Sequence, residues 1–134
     1  MYHNEIQRIP PLNMESATTV HRMFEYSFGV NNVELFNIKP NYTWGRAFGR
    51  CDKLTDLYMY GEIGMGLTHT GAALTADSAK TVLLALKDYS GTDEDFAYSV
   101  TFHAGTWTNL DALGATSPNG NTWKEYADDK GWNT

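Results

Sequence analysis

In the N-terminal half of the chain the apolar positions recur at a fixed step. Val30, Val33, Leu35 and Ile38 have the spacing L-x-x-L-x-L-x-x-L, and Leu54, Leu57 and Met59 repeat it 24 positions later, from 30 to 54. The same step taken backwards falls on Ile6, Ile9, Pro11 and Met14. The linking segments agree: Val20, Met23, Phe24 and Ser27 correspond to Trp44, Ala47, Phe48 and Cys51. A repeat of this length cannot bury its apolar side alone, so the pattern predicts a solenoid of stacked units.

Within each unit the pattern predicts a strand and then a short helix. The first strand covers residues 6–14, where Pro10 and Pro11 lack backbone donors and therefore suit a sheet edge. Val20, Met23, Phe24 and Phe28 have helical spacing within residues 15–28, with Ser16 as a cap and Gly29 as a left-handed terminator. A second strand follows at 30–38, then a turn at Lys39-Pro40-Asn41, a brief helical segment carrying Trp44 and Phe48, and a third strand at 54–60. Gly61, Gly64, Gly66 and Gly71 predict a flexible loop. The strongest helical stripe runs from Ala76 to Tyr89 through Ala79, Val82, Leu83 and Leu86, capped by Thr75 or Asp77 and ended by Ser90-Gly91. Residues 97–104, with Val100 and Phe102, alternate as a strand. Thr106 then caps a helix with Trp107, Leu110 and Leu113, and Asn121 caps a last one with Trp123, Tyr126 and Ala127 before a short strand at 132–134. Strands and helices alternating over short connections imply parallel pairing with right-handed crossovers.

The L-x-x-L-x-L strands resemble leucine-rich repeats. The linking pattern, Met23-Phe24 with Ser27 and Ala47-Phe48 with Cys51, is similar to that of the bacterial surface-protein, BspA-like leucine-rich repeats. The run from Leu74 to Lys80, continued through Gly91-Thr-Asp93, Ser117 to Trp123 and Gly131-Trp132, is similar to the terminal unit of such proteins from gut Firmicutes and their phages. The resemblance covers nearly the whole chain. It implies an α/β leucine-rich-repeat-like solenoid, with a short parallel sheet on one face and short helices on the other. Residues 1–70 would be the repeat units and 71–134 the atypical C-terminal strand–helix capping units of the same solenoid. It also implies surface adhesion or, in phage, tail-associated host recognition, and hence a location on a cell surface or a virion. Two departures stand against this pattern: Pro11 takes the place of a strand leucine, and only about three strands keep the period. Because the repeat is under way at Ile6, the chain reads as a fragment of a longer protein or one whose end a partner chain covers; the alternative is a makeshift cap formed by the first few residues.

Composition narrows the function. A length of 134 residues suits one domain or part of one, and 42% apolar residues are enough for a core. The net charge of −6 and the scatter of Lys and Arg argue against nucleic acid. No apolar run approaches a membrane span, and the first residues lack the pattern of a secretory signal. Cys51, the single cysteine, has no partner for an internal disulfide and falls on a core position.

Catalytic patterns are sparse. His3, His21, His69 and His103 have no zinc-binding spacing. The glycines after the third strand match no phosphate-loop motif. Asp93-Glu94-Asp95 lacks the spaced ligands of an EF-hand and reads as a solvated loop. Asn41-Tyr42-Thr43 is a formal glycosylation sequon that a bacterial or phage origin would leave unused. The chain therefore reads as a non-enzymatic protein without metal or cofactor.

The informative surface is the other side of the strands, because neighbouring side chains in a strand point to opposite faces. If 33, 35, 57 and 59 point inward, one outward column is Leu12, Phe36 and Tyr60, and the adjacent one is Pro10, Glu34 and Tyr58. Leu12, Glu34, Phe36, Tyr58 and Tyr60 are therefore the candidate ligand-binding residues. Such an aromatic ladder suits a sugar ring or a protein on a host or cell surface. The alternative is that a loop, cross-strand packing or another copy in a homo-oligomer covers it. Arg22 and Arg46 share a column on the linking side, a hint of a second, polar contact.

Overall fold

The computed structural model describes residues 8–92 and 98–134, so Ile6 and Asp93-Glu94-Asp95 lie outside the described residues. It is a mixed α/β chain: β1 (Leu12–Asn13), β2 (Asn32–Ile38), β3 (Asp56–Gly61), β4 (Leu67–His69), α1 (Ala76–Ala85), β5 (Val100–Phe102), α2 (Ala104–Asp111) and α3 (Trp123–Asp129). β1, β2 and β3 form one parallel sheet in that order, and β4 and β5 pair in parallel in a second.

The step of 24 residues is built into the first sheet. Val33 pairs with Leu57, Glu34 with Tyr58 and Leu35 with Met59. Val33, Leu35, Leu57 and Met59 are completely buried, so alternation sends Glu34, Phe36, Tyr58 and Tyr60 to the other face. Burying each of these four apolar side chains contributes about 2 kcal/mol before entropy is counted.

β1 departs from this register. Arg8 bridges to Asn32, yet Leu12 pairs with Leu35, so the first strand takes four steps where β2 takes three. The added residue falls at Pro10-Pro11, where the missing donors make regular pairing impossible. As a result Leu12 sits beside Leu35, half-buried against the core, and leaves the outward column assigned to it from sequence. A second irregularity follows Leu35 in β2, where Asn37 adopts φ 60 and Ile38 pairs with Gly61.

The linking segments are successive turns and not the helices that their spacing predicts. Met23, Glu25, Ser27 and Val30 donate to the carbonyls of Val20, Arg22, Phe24 and Ser27. Ala47, Gly49, Cys51 and Leu54 make the same bonds to Trp44, Arg46, Phe48 and Cys51. Left-handed backbone at Arg22 (φ 63) and Tyr26 (φ 65) stops a helix from propagating, and Arg50 (φ 59) matches Tyr26 one step on. Gly29, expected in that conformation, does not adopt it. The two turn segments are joined by bonds from Phe24 N–H to the Ala47 carbonyl (2.8 Å) and from Tyr26 N–H to the Gly49 carbonyl (2.7 Å). Phe24 stacks on Phe48 at 5.9 Å between ring centres.

Several glycines mark close approach between segments 24 residues apart. A side chain at Gly45 would occupy the place of the His21 imidazole, and one at Gly64 would run into the Pro40 carbonyl oxygen. Each of these pairs is separated by one repeat step. Gly61 and Gly64 therefore lie in close backbone packing, and the stretch read from sequence as a flexible loop ends in β4.

Beyond β4 the described chain is mainly helical. α1 is capped by Thr75, whose side chain accepts from Ser78 N–H, and it packs on β3. It ends at Ala85, earlier than the stripe to Tyr89 suggests, because Leu86 is extended and bridges to Ile63. Thr81 Oγ1 accepts the Met59 N–H at 3.0 Å, so one donor on the outer edge of β3 is satisfied by a helix side chain. Two further caps differ from the sequence reading. His103 caps α2, while Thr106 is buried and accepts from Leu74 N–H. Thr122, not Asn121, caps α3, in a reciprocal box with Glu125. At the chain end the only strand-like pairing described is a bridge between Asn133 and Ser99.

Candidate functional site

The outward face of β2 and β3 gathers Glu34, Tyr58 and Tyr60 around a shallow depression of about 290 Å³, which Arg8 and Asn32 complete. Glu34 and Tyr58 are register partners, as are Asn32 and Asp56. Phe36 is half-buried on the same face but does not line the depression, and Leu12 lies with the core. Three of the five residues singled out from sequence thus come together, a fourth flanks them, and the fifth does not join.

Arg8, Asn32 and Asp56 are absent from the set that the sequence suggests. Their signal is nonetheless present, since they stand at one repeat step from each other and have the parity of Glu34 and Tyr58. Columns drawn through the aromatic positions pass them by, because this polar row lies one pleat before the aromatic one.

Tyr58 has its phenol pKa raised, first by partial burial, then by Asp56, Asp77, Tyr60 and Glu34 around it. Glu34 and Asp56 thus put negative charge on this face with Arg8 at its margin, while Asp77 is paired with Lys80 at 3.5 Å. Asp56 is held by hydroxyls: Thr55 Oγ1 donates at 3.1 Å and Thr75 Oγ1 at 3.3 Å.

Tyr60 belongs to two hollows. It closes the polar depression, and with Met59, Gly61, Thr81, Leu84 and Ala85 it lines an adjoining one of about 170 Å³. Tyr60 at 43% and Leu84 at 47% are the exposed large apolar side chains among the described residues, and both border this second hollow. Their contiguity marks the place as more than scattered apolar exposure.

On the linking side a groove of about 390 Å³ runs past Arg46, Arg50, Thr68 and Thr70. Its guanidinium groups are already engaged. Arg46 Nε lies 2.8 Å from Glu25 Oε2 as an ion pair without hydrogen-bond alignment, and Arg50 reaches Asp52 at 3.4 Å. The shared Arg22 and Arg46 column straddles the buried Glu25, with Arg22 at 3.9 Å, so it serves the contact between the two turn segments.

Cys51 is buried and donates to the Phe24 carbonyl at 3.1 Å; burial pushes its thiol pKa up to about 11, the opposite of an activated nucleophile. His69 is buried with Nε2 2.8 Å from the Leu54 carbonyl, its Nδ1 has no hydrogen-bond partner among the described residues, and burial lowers its pKa. His103 Nδ1 accepts from Gly105 N–H at 2.9 Å, so this ring is spent on capping. Among the described residues no three His, Cys, Asp or Glu side chains gather to hold a metal ion, and no helix is long and apolar enough to cross a membrane.

No family model matches the chain, and neither the curated proteins nor the solved structures contain a match to it.

Proposed function

We propose that this chain is a non-enzymatic binding module, the C-terminal leucine-rich-repeat part of a surface adhesin or a phage tail receptor-binding protein. In this reading residues 1–70 are repeat units of a BspA-like solenoid, and 71–134 are the capping units that close its core. The module works at a cell surface or on a virion and needs no cofactor. The observation that carries the reading is the outward face of β2 and β3, where Glu34 and Tyr58 pair in register and Phe36 and Tyr60 flank them on the same side, beside Arg8 and Asn32. Parallel strands about 4.8 Å apart hold such side chains in fixed rows, a preorganised surface that loses little entropy on binding. The matching turns at 20–30 and 44–54 support the repeat assignment, and α1 over β3 supports the capping role.

The second reading, a structural protein that buries this face in a homo-oligomer, draws on the exposure of Tyr60 and Leu84. Light scattering separates the two. A monomer that binds a component of a protein and glycan array, and loses it in Phe36→Ala/Tyr60→Ala, supports the binding module. A stable dimer or trimer that protects Tyr60 from modification supports assembly. Binding unchanged in the double variant removes this face from consideration.

A further inference from the structure

We infer that the ligand of this face is a neutral glycan of at least two rings, one seated among Arg8, Asn32, Glu34 and Tyr58 and the next lying across Tyr60 and Leu84. The inference rests on the binding-module reading and narrows it to one ligand class. Three observations carry it.

The first is the chemistry of the depression. A guanidinium offers only donors, a carboxylate only acceptors, and an amide and two phenols offer both. All five meet in one hollow of about 290 Å³. A sugar ring answers such a lining because every hydroxyl both donates and accepts. An apolar peptide side chain would leave these groups desolvated and unpaired, at a cost of about 1–3 kcal/mol each.

The second is charge. Glu34 lines the depression and Asp56, the register partner of Asn32, stands beside it, against Arg8 among the described residues; Asp77 is already paired with Lys80 at 3.5 Å. A sialic or uronic acid would bring its carboxylate towards this negative field. The balance selects against acidic sugars and leaves neutral ones favoured.

The third is the sharing of Tyr60. The same residue bounds the polar depression and the adjoining hollow with Leu84. A pyranose has a face of C–H groups that packs on an aromatic ring, while its hydroxyls stay at the rim. A linear chain of two or three rings spans both hollows; a single ring fills one.

The test is titration of the intact chain with neutral hexoses and 2-acetamido-hexoses as single sugars and as oligosaccharides of two to four rings, with the same oligosaccharides ending in sialic or glucuronic acid, and with a cell-surface protein array. Neutral oligosaccharides should bind. An acidic end should weaken binding by about tenfold, and Asn32→Ala and Tyr58→Phe by about three- to tenfold each. Leu84→Ala should weaken trisaccharides about threefold and leave single sugars unaffected. Circular dichroism and the unfolding midpoint check that each variant is folded. Tighter binding of the acidic chains, or neutral-glycan affinity unchanged in folded Tyr58→Phe and Leu84→Ala, overturns the inference. Binding to proteins alone, abolished by Phe36→Ala/Tyr60→Ala, also overturns it while leaving the binding module standing. No binding to either class overturns both.

Discussion

Two glycines separate steric contact from backbone preference. Gly64 lies against the Pro40 carbonyl, so a methyl group there must push backbone away, whereas Gly120 has open space but φ 80. Gly64→Ala should cost about 3 kcal/mol and Gly120→Ala about 1 kcal/mol, read from urea unfolding. Cys51 and His69 give the stability a defined pH dependence. The Cys51 thiol, held at about 11 in the fold against 9.0 unfolded, adds stability that is complete below the unfolded value and lost as pH rises through the folded one. The loss is on the order of 2 kcal/mol, and native Cys51 should resist a thiol reagent at mildly alkaline pH while reacting at once in concentrated urea. His69 works from the other side. Its folded pKa is lowered, so stability is complete above the unfolded value near 6.5 and declines as pH falls from there through the folded pKa. His69→Gln should flatten unfolding midpoints over that acid range.

Among the elements, α1 depends on a distant residue for its C-terminal end. It has no basic residue in its last turn, and Lys130 from beyond α3 donates to the carbonyls of Leu83 (3.2 Å), Leu84 (3.0 Å) and Leu86 (2.8 Å). A cation on these acceptors complements the helix dipole, so Lys130→Met should destabilise by about 1–2 kcal/mol and expose α1 amides to hydrogen exchange first. No periodicity points from Lys130 to α1, and this is where sequence reading ends. The legible part rests on alternation and on the repeat: Val33, Leu35, Leu57 and Met59 are buried as their spacing requires, and Glu34, Tyr58 and Tyr60 share a face. The turn segments are ambiguous in sequence because Val20, Phe24 and Ser27 face inward whether the chain winds as a helix or as stacked turns. Leu12 departs from its expected column because one added residue at Pro10-Pro11 reverses the face of Leu12 and Asn13, a slip that the local pattern does not reveal.

At the level of the whole molecule, the repeat reading makes a demanding prediction. If turns 20–30 and 44–54 are successive copies of one unit, then inserting a second copy of residues 30–53 after Lys53 adds one more layer of the same kind. The lengthened chain should fold cooperatively with a midpoint no lower than the parent. An insertion shortened by three residues should unfold several degrees earlier, since its strand would present the wrong face to the core.

The bond from Met59 N–H to Thr81 has a bearing on self-association. Fibrils lengthen by adding ribbons to a sheet that accepts them at both flanks. Here one flank is occupied by α1, and the other carries two prolines that cannot donate. Concentrated solutions should therefore stay free of thioflavin-positive material, and Thr81→Val, which strips away that occupant's hydroxyl, should be the change that first lets such material form.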